Sequence, residues 1–312
     1  MNDNKVLKDD YTSRINRVLD YIETNLDKQF TLEELAAVSH FSKFHFSRIF
    51  WAMVGETPFE FIARIRLERA ATMLKMNPHE PVLQIALKCG YSDKSVFSRN
   101  FKSYFNTPPS AYRKAGHTDR NYDQLLSNCS QQFQEGAGYF CDESKTQKWR
   151  SNMELVSNVD VKNLPVTTIA YIRHTGPYQG DGALFEKLFN KMYAWAGSRG
   201  SLNKDSKAIA LYHDDPCVTE AQKLRLSIGI SVPPDTKVDG EIGKMELDGG
   251  KYAVAHFVLA PQDFPLAWGW LMGTWFPASG YQPDDKLPFE VYPEQPKDGK
   301  ITVDICVPVK PL

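Results

Sequence analysis

The pentapeptide Phe-Ser-Arg-x-Phe occurs twice, at 46–50 and 97–101, and its surroundings repeat with it. Leu35-Ala36 aligns with Ile85-Ala86, Phe41-Ser42 with Tyr91-Ser92, and Thr57-Pro58 with Thr107-Pro108. A period near 50 residues is also that of solenoid arrays, but two copies cannot stack into one. Two helix–turn–helix units linked within one chain fit the pattern, and such units read duplex DNA.

Local signals support each unit. Residues 11–26 carry Ile15, Val18, Leu19, Ile22 and Leu26 at helical spacing. Thr31 followed by Glu34 forms a capping box that opens a short helix with Leu32, Leu35 and Ala36 facing inward. A tight turn over 39–41 follows, with Ser42 as N-cap of the first reading helix. Thr57 and Glu60 form a second capping box with Pro58 at the first helical position, so a long helix should run to about Lys75 and break at Asn77-Pro78. The second unit opens at 81–88, turns at Gly90 and places Ser92 as cap of the second reading helix.

At 100° per residue, Phe46, Ile49, Phe50 and Met53 share one side of the first reading helix, as Phe97, Phe101 and Tyr104 do in the second. Those sides are expected to be core. Lys43, Phe44, Ser47 and Arg48 lie on or beside the opposite face, and Lys94, Ser95, Ser98, Arg99 and Lys102 do so in the second copy. Arginine with small hydroxyls suits guanine edges and phosphates, and Phe44 suits a thymine methyl. Charge agrees: 42–115 holds 12 Lys and Arg against 5 Asp and Glu, in a chain of net charge −1. Only this segment is suited to meet phosphate.

The series Ile85-Ala86, Gly90-Tyr91-Ser92, Phe97-Ser98-Arg99, Phe101-Lys102, Thr107-Pro108 and Tyr112-Arg113 resembles the AraC/XylS DNA-binding domain, over roughly 14–114. The resemblance implies seven helices, with two reading helices entering successive major-groove segments about one turn, ~34 Å, apart. An all-α double helix–turn–helix domain is therefore expected over 8–115. Here it comes first in the chain, so the sugar-binding arm of many relatives is not carried over.

Residues 116–152 turn polar without sustained periodicity and read as a linker with one short helix. Residues 153–312 repeat again, with a period of 80: Ile209-Ala210-Leu211-Tyr212 aligns with Phe289-Glu290-Val291-Tyr292, and Asp215-Pro216 with Gln295-Pro296. Each copy reads strand, helix, strand, strand. The first spans strand 166–173, helix 183–196 and strands 208–212 and 225–232. The second spans strand 251–258, helix 265–275 and strands 289–292 and 301–309. Further strands are expected near 154–161 and 243–247. The fold class for this half is α+β, an antiparallel sheet with both helices on one face.

Strand alternation puts Glu290 and Tyr292 on one face and Phe289 and Val291 on the other. The first copy has Ala210 where the second has Glu290, so the repeat itself demands no carboxylate there. A lone acid in an apolar run is costly to bury unless something compensates it. Tyr171, Tyr178, Tyr212, Phe257, Trp268, Trp275 and Tyr292 supply aromatic surface nearby in sequence. Together with Glu290 they suit a cationic or amphipathic organic ligand, through ion pairing and cation–π attraction.

The runs 170–178, 212–216, Gly249-Gly250-Lys251-Tyr252-Ala253-Val254 and 289–292 resemble the gyrase-inhibitor-like effector-binding domain across 153–312. That resemblance implies a small-molecule sensor, often of many drugs, with Glu290 as the acidic residue that binds cations. Joined to an AraC-type reader, it implies a transcription regulator whose partners are promoter DNA, an effector and RNA polymerase. Two other readings of this half are a protein-interaction module and a hydrolase acting on electrophiles through Glu290 and a tyrosine.

Five scattered cysteines without CxxC spacing fit a reducing cytoplasm, with no metal site and no disulfide framework. No Gly-rich phosphate loop or nucleophile elbow occurs, so neither a cofactor nor enzymatic turnover is expected. No apolar run reaches the ~20 residues of a membrane span.

Overall fold

A computed structural model describes residues 3–115, 138–141, 146–149, 158–202, 206–216, 218–284 and 286–311. Seven helices form the N-terminal half: α1 (Asp3–Thr24), α2 (Leu32–Ser39), α3 (Lys43–Val54), α4 (Pro58–Met76), α5 (Val82–Lys88), α6 (Lys94–Phe105) and α7 (Pro109–Ala115). Both capping boxes are present, Thr31 with Glu34 and Thr57 with Glu60. The repeated phenylalanines Phe46, Phe50, Phe97 and Phe101 are wholly buried, each stabilising its unit by about 1.5–3 kcal/mol.

Helix α4 serves both units. Its first turns give Phe61, Ile62 and Ile65 to the core of the first. Its later turns give Leu67, Ala70, Ala71, Met73 and Leu74 to the core of the second. The two readers are thereby fixed on one rigid rod. Gly90 makes the turn of the second unit at φ +77°, and a Cβ there would stand 2.4 Å from the Leu26 carbonyl oxygen. Only glycine fits that position.

Capping of the reading helices differs from expectation. Ser42 does sit at the N-cap of α3, but it makes no side-chain cap bond; its hydroxyl lies 2.9 Å from His45 Nδ1. Asp93, not Ser92, caps α6, accepting from the Ser95 and Val96 N–H groups at 2.6 and 2.8 Å. A carboxylate at the positive end of a helix is the stronger acceptor. Met53 and Tyr104, both expected in the core, are 40% and 39% exposed, each lying near the end of its helix.

Within the expected linker, β1 (Gly138–Cys141) and β2 (Thr146–Trp149) pair antiparallel. The rest of 116–152, including its expected short helix, lies outside the described residues.

The C-terminal half contains β3 (Val159–Leu164), β4 (Thr167–Thr175), α8 (Gly182–Ser198), β5 (Ala208–Tyr212), β6 (Arg225–Ser231), β7 (Gly243–Leu247) and β8 (Gly250–Leu259). These are followed by α9 (Phe264–Trp270), β9 (Tyr281–Pro283), β10 (Phe289–Tyr292) and β11 (Ile301–Pro311). The sheet order is β3-β8-β11-β10-β5-β6-β4-β7, with β9 on β11. All of its pairings are antiparallel. The two repeat copies meet where β5 pairs with β10, and there Ala210 lies directly across from Glu290.

Both helices cover the same face of the sheet. Leu188, Met192 and Ala196 of α8 pack on Ala170, Ala210 and Ile228. Ala267 of α9 packs with Ala253, Phe257 and Ile305. The helix expected over 265–275 becomes π-helical at Leu271–Trp275, where the Phe276 N–H bonds the Leu271 carbonyl. Pro277 follows and has no N–H to continue an α-helical ladder. The opposite face of the sheet buries Ile169, Tyr171, Ile209, Leu211, Tyr252 and Phe289, and there it also receives α1.

Candidate functional site

Two sets of residues carry chemistry. The first is the pair of outward faces on α3 and α6. Lys43 and Arg48 are exposed on α3, and Lys94, Ser95, Arg99 and Lys102 on α6; Ser47 and Ser98 are half-buried. The side chain of Phe44 lies outside the described residues. Trp51, 59% exposed, shares the α3 face and occupies the repeat position of Lys102. Aligning the two pentapeptides would have disclosed it.

The second set lines the cleft between α8 and α9. Glu290 is 0% exposed. Its Oε2 accepts from the Tyr212 hydroxyl at 2.6 Å and the Tyr292 hydroxyl at 2.5 Å, and its Oε1 accepts from Trp268 Nε1 at 2.7 Å. No Lys, Arg or His among the described residues forms a salt bridge with it. Burial pushes the Glu290 carboxyl above its ordinary range, against the pull of the three donors. Burial likewise raises the Tyr212 and Tyr292 hydroxyls well above theirs, so both remain protonated donors.

Aromatic rings wall this carboxyl. Tyr178 and Trp268 lie 5.7 and 5.9 Å from Tyr212, centroid to centroid. Phe189 and Phe264 lie 5.2 and 6.5 Å from Tyr292, and Phe185 lies 6.4 Å from Tyr178. The cleft continues into the groove between the two domains, giving about 3150 Å³ in all. That exceeds the ~300–1,000 Å³ of one small-molecule site.

Of the residues marked from sequence, Tyr178, Tyr212, Trp268 and Tyr292 surround Glu290. Three do not. Tyr171 lies on the other face of the sheet, its hydroxyl donating to Asp20 at 2.5 Å. Phe257 is buried beneath α9 against Trp270, and Trp275 packs edge-on to Phe276. Sequence reasoning missed Phe185, Phe189 and Phe264, although the i, i+4 spacing of Phe185 and Phe189 on α8 marks one helix face.

Comparison with known proteins gives these two regions names. Residues 35–115 match a helix-turn-helix domain family. The multiple antibiotic resistance protein MarA of Escherichia coli is 34% identical over 99 residues, 32% of this chain and 77% of MarA. The chain belongs to the AraC family of transcriptional regulators. Residues 157–310 of this AraC-family chain match the GyrI-like small molecule binding domain.

The HTH-type transcriptional regulator YbfP of Bacillus subtilis is 37% identical over 103 residues, 33% of this chain and 35% of YbfP. The match thus spans about a third of that relative's length. Among solved structures, the EcmrR C-terminal domain aligns over 50% of this chain and 99% of its own, at 17% identity and a TM-score of 0.42. An AraC-type regulator from Chromobacterium violaceum aligns over 33% and 91%, at 24% identity and a TM-score of 0.31.

Proposed function

We propose that this AraC-family chain is a one-component regulator that reads duplex DNA with α3 and α6 and binds a hydrophobic organic cation in the Glu290 cleft. The observation that carries the ligand class is the Glu290 carboxyl itself: fully buried, hydrogen-bonded by three neutral donors and ringed by aromatic side chains. Such a site presents a compensating charge and several π-faces to an organic cation, while a neutral ligand leaves the carboxyl's desolvation unrelieved. Lys43, Ser47, Arg48 and Phe44 would contact one half of the operator, and Lys94, Ser95, Ser98, Arg99 and Lys102 the other. Acting at promoters in the cytoplasm, the regulator would work through RNA polymerase without catalytic turnover.

The test uses the full chain. Calorimetry with tetraphenylphosphonium should show binding that its neutral relative triphenylphosphine oxide does not match. Selection from a random duplex library should return one bipartite site. Equal affinity for cation and neutral compound would remove the cation-sensor reading. Failure to enrich any site would remove the DNA-reading assignment.

A further inference from the structure

Tyr212 and His213 are consecutive residues, and alternation sends their side chains to opposite faces of the sheet. Tyr212 points into the cleft and holds Glu290. On the far face, the His213 imidazole is fully buried, with Nδ1 2.8 Å from Glu23 of α1 and Nε2 2.8 Å from the Ser227 hydroxyl. One peptide unit therefore separates the cleft from the first helix of the DNA-reading half.

The following residues extend this connection. Asp214 grips Arg225 through Nε at 2.8 Å and Nη2 at 2.5 Å, and Arg225 in turn donates to Glu23. Burial works against the Glu23 carboxylate, yet Arg225, His213 and Arg173 overcome it and hold its pKa far below the usual range. Asp215 accepts from the Thr72 hydroxyl of α4 at 3.3 Å, and the Thr219 hydroxyl donates to Glu68 of α4 at 2.9 Å. Glu68 also accepts from the Tyr104 hydroxyl at 2.8 Å, and Tyr104 belongs to the second reading helix, α6.

Every link in this chain is a hydrogen bond or ion pair with a buried or half-buried partner. Links of that kind are lost at high cost, because the deserted charge stays buried. The segment is also tied to itself, since the Asp215 carbonyl accepts from the Val218 and Thr219 N–H groups at 2.9 and 2.8 Å. A short braced segment moves as a unit.

We propose that residues 212–216, with 218 and 219, form a coupling strap, through which the occupant of the Glu290 cleft alters how α1, α4 and α6 are held and so changes DNA affinity. The proposal rests on the sensor reading above. A cation that draws the Glu290 carboxylate toward itself changes the acceptor held by Tyr212, and the displacement passes along β5 to His213, Asp215 and Thr219. Because Glu68 of α4 is shared by Thr219 and by Tyr104 of α6, a shift of Thr219 changes how α6 is held on α4, and with it the angle between α3 and α6. Both must fit one face of the duplex, so affinity follows. Coupling of this type amounts to about 5- to 150-fold in affinity and acts in both directions.

The experiment measures the DNA dissociation constant of the full chain with and without saturating tetraphenylphosphonium, for wild type, Thr219→Val and Glu23→Gln. Both substituted residues line the groove between the domains, and neither bonds Glu290 or lies on a reading face. Wild type should show a ratio of about fivefold or more. In both variants the ratio should fall toward one, while calorimetric cation affinity and ligand-free DNA affinity stay within about twofold of wild type. A wild-type ratio of one, or variants that keep the full ratio, would overturn the strap.

If wild type binds no cation, the sensor reading fails separately, and a ligand-free arm then decides the strap. Hydrogen exchange of the full chain should show faster exchange in α4 for Tyr212→Phe than for wild type. Identical exchange in α4 would overturn the proposal.

Discussion

Replacing Glu290 by Gln removes a charge from the centre of the C-terminal domain and almost nothing else. The carboxyl accepts three hydrogen bonds, two from tyrosine hydroxyls on one oxygen and one from Trp268 on the other. A glutamine can keep its oxygen toward Trp268 and turn its NH₂ toward Tyr212 and Tyr292, whose hydroxyls rotate to accept. The ligand-free protein should therefore be no less stable than wild type, since the desolvation of a carboxylate has been removed. Cation binding should suffer. A hydrogen-bonded contact to a charged group contributes about 1.5–3 kcal/mol, and unit charges ~4 Å apart at an effective dielectric of ~20 attract by about 4 kcal/mol before cation desolvation is subtracted. The lower range corresponds to a loss of roughly 10- to 150-fold in tetraphenylphosphonium affinity. Calorimetry on the full chain, with triphenylphosphine oxide as neutral control, reads the difference. Equal cation affinity in wild type and Glu290→Gln would refute the assignment of Glu290 as counter-charge.

On the DNA side, Arg48→Ala and Arg99→Ala should each cost about 1–3 kcal/mol in operator binding and weaken opposite halves of the footprint; loss in the same half would refute the two-reader arrangement. Gly90→Ala should destabilise the protein by more than ~1 kcal/mol, because its φ is +77° and the new Cβ would meet the Leu26 carbonyl; an unchanged denaturation midpoint would show that the turn is not constrained. The Glu23 carboxylate has its pKa depressed in the folded state, so its stabilisation is fully present above the ordinary value of 4.5 and is lost as pH falls below it. Thermal stability should therefore fall below about pH 4.5 more steeply in wild type than in Glu23→Gln, and parallel pH profiles would contradict the buried pairing.

Much of this architecture was legible because each half is a duplication. The offset between the two pentapeptides placed both reading helices, and the offset of 80 placed β5 and β10, whose bounds agree with the alternation of Ile209-Ala210-Leu211-Tyr212 and Phe289-Glu290-Val291-Tyr292. Ala210 opposite Glu290 turns out to be a direct cross-strand neighbour, which leaves room for the carboxyl. What alternation cannot supply is the phase between strands. Tyr171 sits in a run of β4, Ile169-Ala170-Tyr171-Ile172, as apolar as β5, and only the register, Tyr171 across from Gly229 and Gly229 across from Ile209, shows that it faces away from Tyr212.

Domain docking was hidden for a related reason. Arg173, His213 and Arg225 sit at the ends of apolar strands, where sequence alone suggests solvated termini. Their partners Asp20 and Glu23 come from a helix roughly 150 to 200 residues earlier. Trp51 was within reach of the sequence, by transferring the Lys102 position through the repeat. Asp93 was masked by the conventional preference for serine in the matching Ser92.

The central claim is that one chain reads DNA at two successive groove segments and that a cation in the Glu290 cleft changes that reading. Footprinting the full chain on its selected operator, with and without saturating tetraphenylphosphonium, tests both parts at once. The account predicts two protected patches about one helical turn, ~34 Å, apart, whose occupancy at fixed protein concentration shifts when the cation is added and does not shift for Glu290→Gln. A single protected patch, or protection that ignores the cation in wild type, would contradict it.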